Sequence, residues 1–300
     1  MRPVRAAPVA TVLALGLALA ACGGGATSSA GPTTTVSKAA ADTRSRTQQP
    51  APGYDPASSP YPDTDATSSV PAGPPAADPS VVGPPAPASA SPVLAATVHA
   101  WTTMAWTIYA HTDKVDAAAG TYQFDCVGAT NYFLSVGAPQ ANQVMRTALG
   151  IGKAYVPRPQ AMVQYFAALP AAGNGSWTPA RTMAAVAPGD IIAVPPRVGT
   201  DESGHALIVA GPPLLLANGD YALLVYDSTA TPHGPSDTRT WDPRNRPLPA
   251  NATHPNGRPS GLGHGTIMIA PTASGAPGTM YWSVDGPEYG GQIEIAAPSA

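Results

Sequence analysis

The chain has 300 residues, 44% of them hydrophobic and only 11% charged, and its net charge is −3. Acidic residues outnumber basic ones and no basic stripe occurs, which argues against nucleic acid as a partner. There are two cysteines, Cys22 and Cys126, and the 37 prolines are unevenly spread.

The chain opens MRPVRAAPVATVLALGLALAACGGG. Two arginines precede a short apolar run that ends in small residues, the layout of an export signal over residues 1–21. The run is too short for a comfortable spanning helix. Leu19-Ala20-Ala21-Cys22 resembles the lipobox of bacterial lipoproteins. That resemblance implies acylation of Cys22, for example with palmitate, as the first residue of a mature protein anchored in the membrane. Cys126 is then the free thiol of an exported chain. Residues 22–92 are rich in Pro, Ala, Ser and Thr and poor in large apolar side chains. Such a tract cannot bury enough surface to offset the entropy of ordering, so it reads as a disordered tether.

Residues 93–300 are long enough for one core and read as one domain. VLAATVHAWTTMAWTIYAH, CVGATNYFLSVG, APQANQVMRTALG and RPQAMVQYFAAL predict four helices, the last two with a proline near the start. GDIIAVP, HALIVAG, YALLVYDS and GTIMIAP follow, short and apolar between Gly and Pro punctuation, and predict strands. Helices first and strands after predict an α+β fold with an antiparallel sheet.

In TYQFDCVGATNYFL, Asp125 can cap a helix that starts at Cys126. A thiol at the positive end of a helix dipole is expected to ionise more easily, and first-turn amides can form part of an oxyanion hole. The alternative is a buried packing cysteine. A thiol nucleophile needs a base. His205 in SGHALIVAG starts an apolar strand after glycine, and His264 in LGHGTIMIA competes with it. His99 and His111 lie in or beside the first helix, and His233 and His254 lie in Pro/Gly-rich loops. Asp227 ends the apolar run YALLVYD and can accept the second ring N–H of a base, or else serve as a turn residue. No His-Glu or Cys-Cys pair has metal-ligand spacing and LGIGK lacks phosphate-loop spacing, so no cofactor or metal is expected.

The order FDCVGATNYFL, APGDIIAV, SGHALIVAG, VYDST resembles the NlpC-type, papain-like cysteine peptidases of bacterial cell walls. Asp125-Cys126-Val127-Gly128 matches the nucleophile element, with Val127 where a small residue, often Ser, is usual. Pro188-Gly189-Asp190 and Gly204-His205 match the next two elements. Asp227 matches the last by place, at a position that is often His, Asn or Gln. The resemblance covers roughly residues 95–230. Residues from about 233 form a C-terminal extension, read as an added loop and strand pair. The implied fold is papain-like, with N-terminal helices packed on a small antiparallel β-sheet. In that family the Pro-Gly-Asp strand directly precedes the base, which selects His205 over His264. The resemblance implies Cys126 as nucleophile, His205 as base and Asp227 as its orienting residue. Tyr122 or Gln123 would donate to the oxyanion, and Ser228, Thr229 and His233 would line the site. The expected function is a lipid-anchored cell-envelope hydrolase of amide bonds in peptidoglycan stem peptides. Acyl transfer or transpeptidation on the same fold is one alternative. A binding module with a buried Cys126 is another, favoured by Val127 and by a long Cys126–His205 separation.

Overall fold

Helix α1 (Pro92–Thr103) stops well before the end of the apolar pattern that predicts it. Met104 takes extended backbone, and Trp-Thr-Ile-Tyr continues as strand β1 (Trp106–Tyr109). β-branched and aromatic residues suit a half-buried pleated surface, and Thr107 and Tyr109 are buried in alternation. β1 pairs in parallel with β3 (Thr121–Phe124), which pairs antiparallel with β2 (Lys114–Asp116). These strands are too short to leave a period in the sequence. The computed structural model describes residues 91–152, 155–197, 204–251 and 255–299, so the expected export signal, Cys22, nearly all of the tether and His254 lie outside the described residues.

Helices α2 (Cys126–Gly137), α3 (Pro139–Ala148) and α4 (Pro159–Ala167) follow as predicted, the last two opened by proline. α2 packs closely on α1: a Cβ on Gly137 would stand 2.5 Å from the Pro92 carbonyl oxygen.

The chain then builds its main sheet from β4 (Trp177–Pro179), β5 (Ile191–Val194), β6 (His205–Val209), β7 (Leu214–Leu215), β8 (Tyr221–Thr229), β11 (Gly261–Ala270), β12 (Thr279–Tyr281), β13 (Glu288–Gln292) and β14 (Glu294–Pro298). β9 (Pro247–Leu248) and β10 (Arg258–Pro259) form a separate ribbon. The spatial order is β13-β12-β11-β8-β6-β5-β14-β4, with β7 against β8, and the pairings in this sheet are antiparallel. The fold is α+β, but the expected order of helices first and strands after is broken by β1–β3, which lie between α1 and α2. Both faces of the central strands are buried. Ile191, Ala206, Ile208, Leu224 and Tyr226 face the helices, whereas Ile192, Leu207, Val209, Leu223 and Val225 face a second core with Ile267, Trp282 and Tyr289.

The extension is more than an added loop and strand pair. β11 pairs with β8 from Gly261 to Ile269, and β14 inserts between β5 and β4. The short apolar strands need a partner on each edge, and the C-terminal third of the chain supplies several of them.

Candidate active site

Cys126 is the first residue of α2, and Asp125 caps that helix by accepting the Gly128 N–H at 2.8 Å. The other Asp125 oxygen lies 3.2 Å from His111 Nδ1. The thiol is buried, and its expected easy ionisation is overturned. Burial pushes its pKa well above the ordinary value, and the charges of Asp125 and Asp227 add to this. The backbone amides of Ala206 and Val127 beside the sulfur pull only partly back.

The Ala206 amide locates the thiol in the sheet. Ala210 N–H donates to Leu224 of β8, so by alternation Ala206 N–H also points toward β8. There β8 no longer answers it, because the β6–β8 ladder runs only through Ile208↔Tyr226 and Val209↔Val225. The two strands part toward His205 and Asp227. Cys126 approaches this gap from the helix side, packed among the core residues that include Ala206 and Tyr226.

His205 alternates to the opposite face, and Asp227 shares that face. Across the gap His205 Nε2 donates to Asp227 Oδ2 at 2.6 Å, since a carboxylate can only accept. Nδ1 has no hydrogen-bond partner among the described residues, and no hydrogen bond joins it to Cys126. The ring packs against Trp282 and Tyr289 at centroid distances of 5.2 and 5.8 Å. Burial lowers the His205 pKa and outweighs the Asp227 contact, leaving a neutral imidazole. Burial alone would raise Asp227. The charges of Arg239 and His233 and the hydrogen bonds from His205 and His233 instead hold it well below the usual carboxylate range.

His233 and Arg239 both come from the segment after β8. His233 Nε2 lies 3.0 Å from the same Asp227 Oδ2, and its Nδ1 lies 2.8 Å from the Trp282 carbonyl oxygen. Arg239 donates to Asp227 Oδ1, to the Asp227 carbonyl at 2.7 Å, to the Gly261 carbonyl at 2.8 Å and to Asp237 Oδ2 at 2.6 Å. Asp237 also accepts the His233 backbone N–H at 2.8 Å. Gly263 and Gly265 of β11 make room for this cluster. A Cβ on Gly263 would stand 2.8 Å from Arg239 Cγ, and one on Gly265 would stand 2.5 Å from Asp237 Oδ2. Arg239 escapes a reading of the sequence. Its trace is the alternation Gly261-x-Gly263-x-Gly265, since glycine on one face of a strand marks a close approach there.

The other expected residues are engaged elsewhere. Tyr122 is in the core against Phe124 and Tyr132, and the Gln123 amide donates to the Thr112 carbonyl at 3.0 Å, so neither side chain is aimed at an oxyanion. Ser228 donates to the Phe124 carbonyl at 2.8 Å and fastens β8 to β3. Thr229 Oγ1 accepts the Thr231 N–H at 3.2 Å. His233, expected to line the site, instead holds Asp227. His264 pairs across from Tyr226, on the face opposite to Asp227, where its ring lies 4.9 Å from Trp101 and burial lowers its pKa to about 4.

His205 Nε2, His233 Nε2 and an Asp227 oxygen lie within 4.8 Å of one another and are zinc-type donors. Their geometry does not fit an ion. Both nitrogens converge on one carboxylate oxygen, at 2.6 and 3.0 Å, whereas two tetrahedral zinc ligands stand about 3.3 Å apart. Arg239 already holds the other oxygen. These are hydrogen-bond distances. Comparison with known proteins finds no family model, no curated protein and no solved structure that matches this chain.

Proposed function

We propose that this chain is a cysteine-dependent hydrolase of amide bonds with a papain-like arrangement of nucleophile and base. One observation carries the reading. The Cys126 sulfur sits at the Ala206 amide, one residue from His205, at the gap that the His205–Asp227 hydrogen bond spans, and His205 Nδ1 has no hydrogen-bond partner among the described residues. In this reading Cys126 rests as a thiol and His205 as a neutral imidazole. Nδ1 takes the thiol proton as sulfur attacks the amide carbon, and Asp227 stabilises the imidazolium that forms. First-turn amides of α2 hold the oxyanion. The C–N bond breaks as His205 returns the proton to the leaving amine. Water then cleaves the thioester, with Nδ1 as base once more.

The substrate class, peptide stems of peptidoglycan, rests on the NlpC-type motifs at Asp125–Gly128, Pro188–Asp190 and Gly204-His205. A lipid on Cys22 would hold the enzyme at the envelope, with the tract to residue 92 as tether.

Full-length protein incubated with muropeptides is expected to release new amino groups, and Cys126→Ala and His205→Ala to abolish this. Iodoacetamide should alkylate Cys126 with an apparent pKa above the free-cysteine value of about 8.5, and more slowly at neutral pH in His205→Ala. Intact muropeptides together with alkylation indifferent to His205 would sink the reading and leave Cys126 as a packing residue.

A further inference from the structure

We propose that His233 is a positioning residue of this site, an imidazolium that clamps Asp227 and through it orients His205. The C-terminal segment would then complete the catalytic centre. The inference deepens the hydrolase reading and rests on it for its catalytic consequence, but its geometry stands separately.

Two observations carry it. The first is hydrogen-bond chemistry. His233 Nδ1 faces the Trp282 carbonyl oxygen at 2.8 Å, and Nε2 faces Asp227 Oδ2 at 3.0 Å. Both partners are acceptors, and a neutral imidazole has one N–H. Both contacts are made at once only when both ring nitrogens carry protons. The second is charge. Asp227, Asp237 and Arg239 are each at most 2% exposed, and together they carry one uncompensated negative charge. A buried charge left unpaired is costly. A cationic His233, itself 1% exposed, balances the cluster.

The groups facing His233 are His205 from β6, Asp227 from β8, Asp237 and Arg239 from the segment at residues 237–240, and Trp282 beyond β12, whose ring lies tilted against it at a centroid distance of 4.2 Å. The further oxygen lone pairs they bring are already engaged: the Trp282 carbonyl faces Nδ1, and Asp237 accepts the His233 backbone N–H. With Arg239 on one oxygen and two imidazoles on the other, Asp227 cannot turn. His205 is thereby fixed as the Nε2–H tautomer with Nδ1 free to act as base.

The test uses nitrogen–proton correlation spectra of the imidazoles in the full-length protein, with His233→Ala and His233→Gln alongside. In the wild type at pH 7, His233 is expected to show two protonated nitrogens and His205 a protonated Nε2 only. In His233→Ala, His205 should lose its single tautomer and titrate at higher pH, because a neighbouring positive charge that holds it down is gone. His233→Gln, which keeps an N–H for Asp227 but no charge, should recover the tautomer without recovering the titration. Turnover of muropeptides should fall about 10- to 100-fold in His233→Ala, the worth of one hydrogen bond to a charged group, with KM within about twofold. A His233 with one bare nitrogen, or a His205 unchanged in both respects in His233→Ala, would overturn the proposal whether or not muropeptides are cleaved. One-equivalent binding of added zinc that shifts both histidines would overturn it too, and would assign the trio to a metal.

Discussion

At the residue scale, burial decides more than local motif. Asp190 belongs to the Pro-Gly-Asp motif, yet its carboxylate works inside its own turn, accepting the Ala187 N–H at 2.9 Å. Burial pushes its pKa up to about 6, against the pull of that hydrogen bond. The folded state therefore binds a proton that the unfolded state, with a pKa of about 3.9, releases earlier. Stability is fullest below about pH 4 and falls as pH rises toward 6, by about 2–3 kcal/mol from this group alone. Asp190→Asn should flatten the stability curve between these limits, as read by urea unfolding at stepped pH. An unchanged slope would show that other groups carry the dependence. Cys126 obeys the same rule. A helix N-terminus favours a thiolate by a fraction of what burial beside two carboxylates costs it.

At the scale of elements, the start of α2 is where structure and chemistry share one side chain. Asp125 stabilises the helix by capping Gly128, and its charge opposes ionisation of Cys126. The two effects separate by substitution. Asp125→Ala removes the cap and should cost about 1 kcal/mol in thermal or urea unfolding. Asp125→Asn keeps an oxygen for Gly128 and removes the charge, so the fold should hold while alkylation of Cys126 moves to lower pH. A stable Asp125→Asn protein whose alkylation profile does not move would show that burial and Asp227, not Asp125, set the thiol. α1 illustrates the converse limit of local reading. Its apolar spacing continues to His111, but Trp106–Tyr109 is drawn into a parallel ladder with β3 that no nearby residue announces.

At the scale of the whole molecule, the C-terminal third is part of the scaffold. β14 lies between β5 and β4, and Ile293 and Ile295 are fully buried. Its removal would uncover the edge of β5, next to the strand that carries His205. Deleting residues 293–300 is therefore expected to abolish cooperative thermal unfolding by circular dichroism. A sharp transition within a few degrees of the full-length protein would mean that β14 is dispensable.

Much of the candidate site is legible in the chain because its signals are local. An Asp before an apolar helix, a His after Gly at a strand start and an Asp closing an apolar run each follow from capping, turn and alternation rules acting over a few residues. Those rules also determined α2, α3, α4, the strands β5, β6, β8 and β11, and with them the α+β class of the chain. Tertiary structure alone decided the rest. It chose which face each side chain takes at the β6–β8 gap, and it turned Cys126 from an expected thiolate into a buried thiol. It also brought His233 and Arg239 onto Asp227 from beyond the strand. Electrostatics and desolvation depend on what is packed within a few ångströms, and here those neighbours come from positions up to about a hundred residues apart.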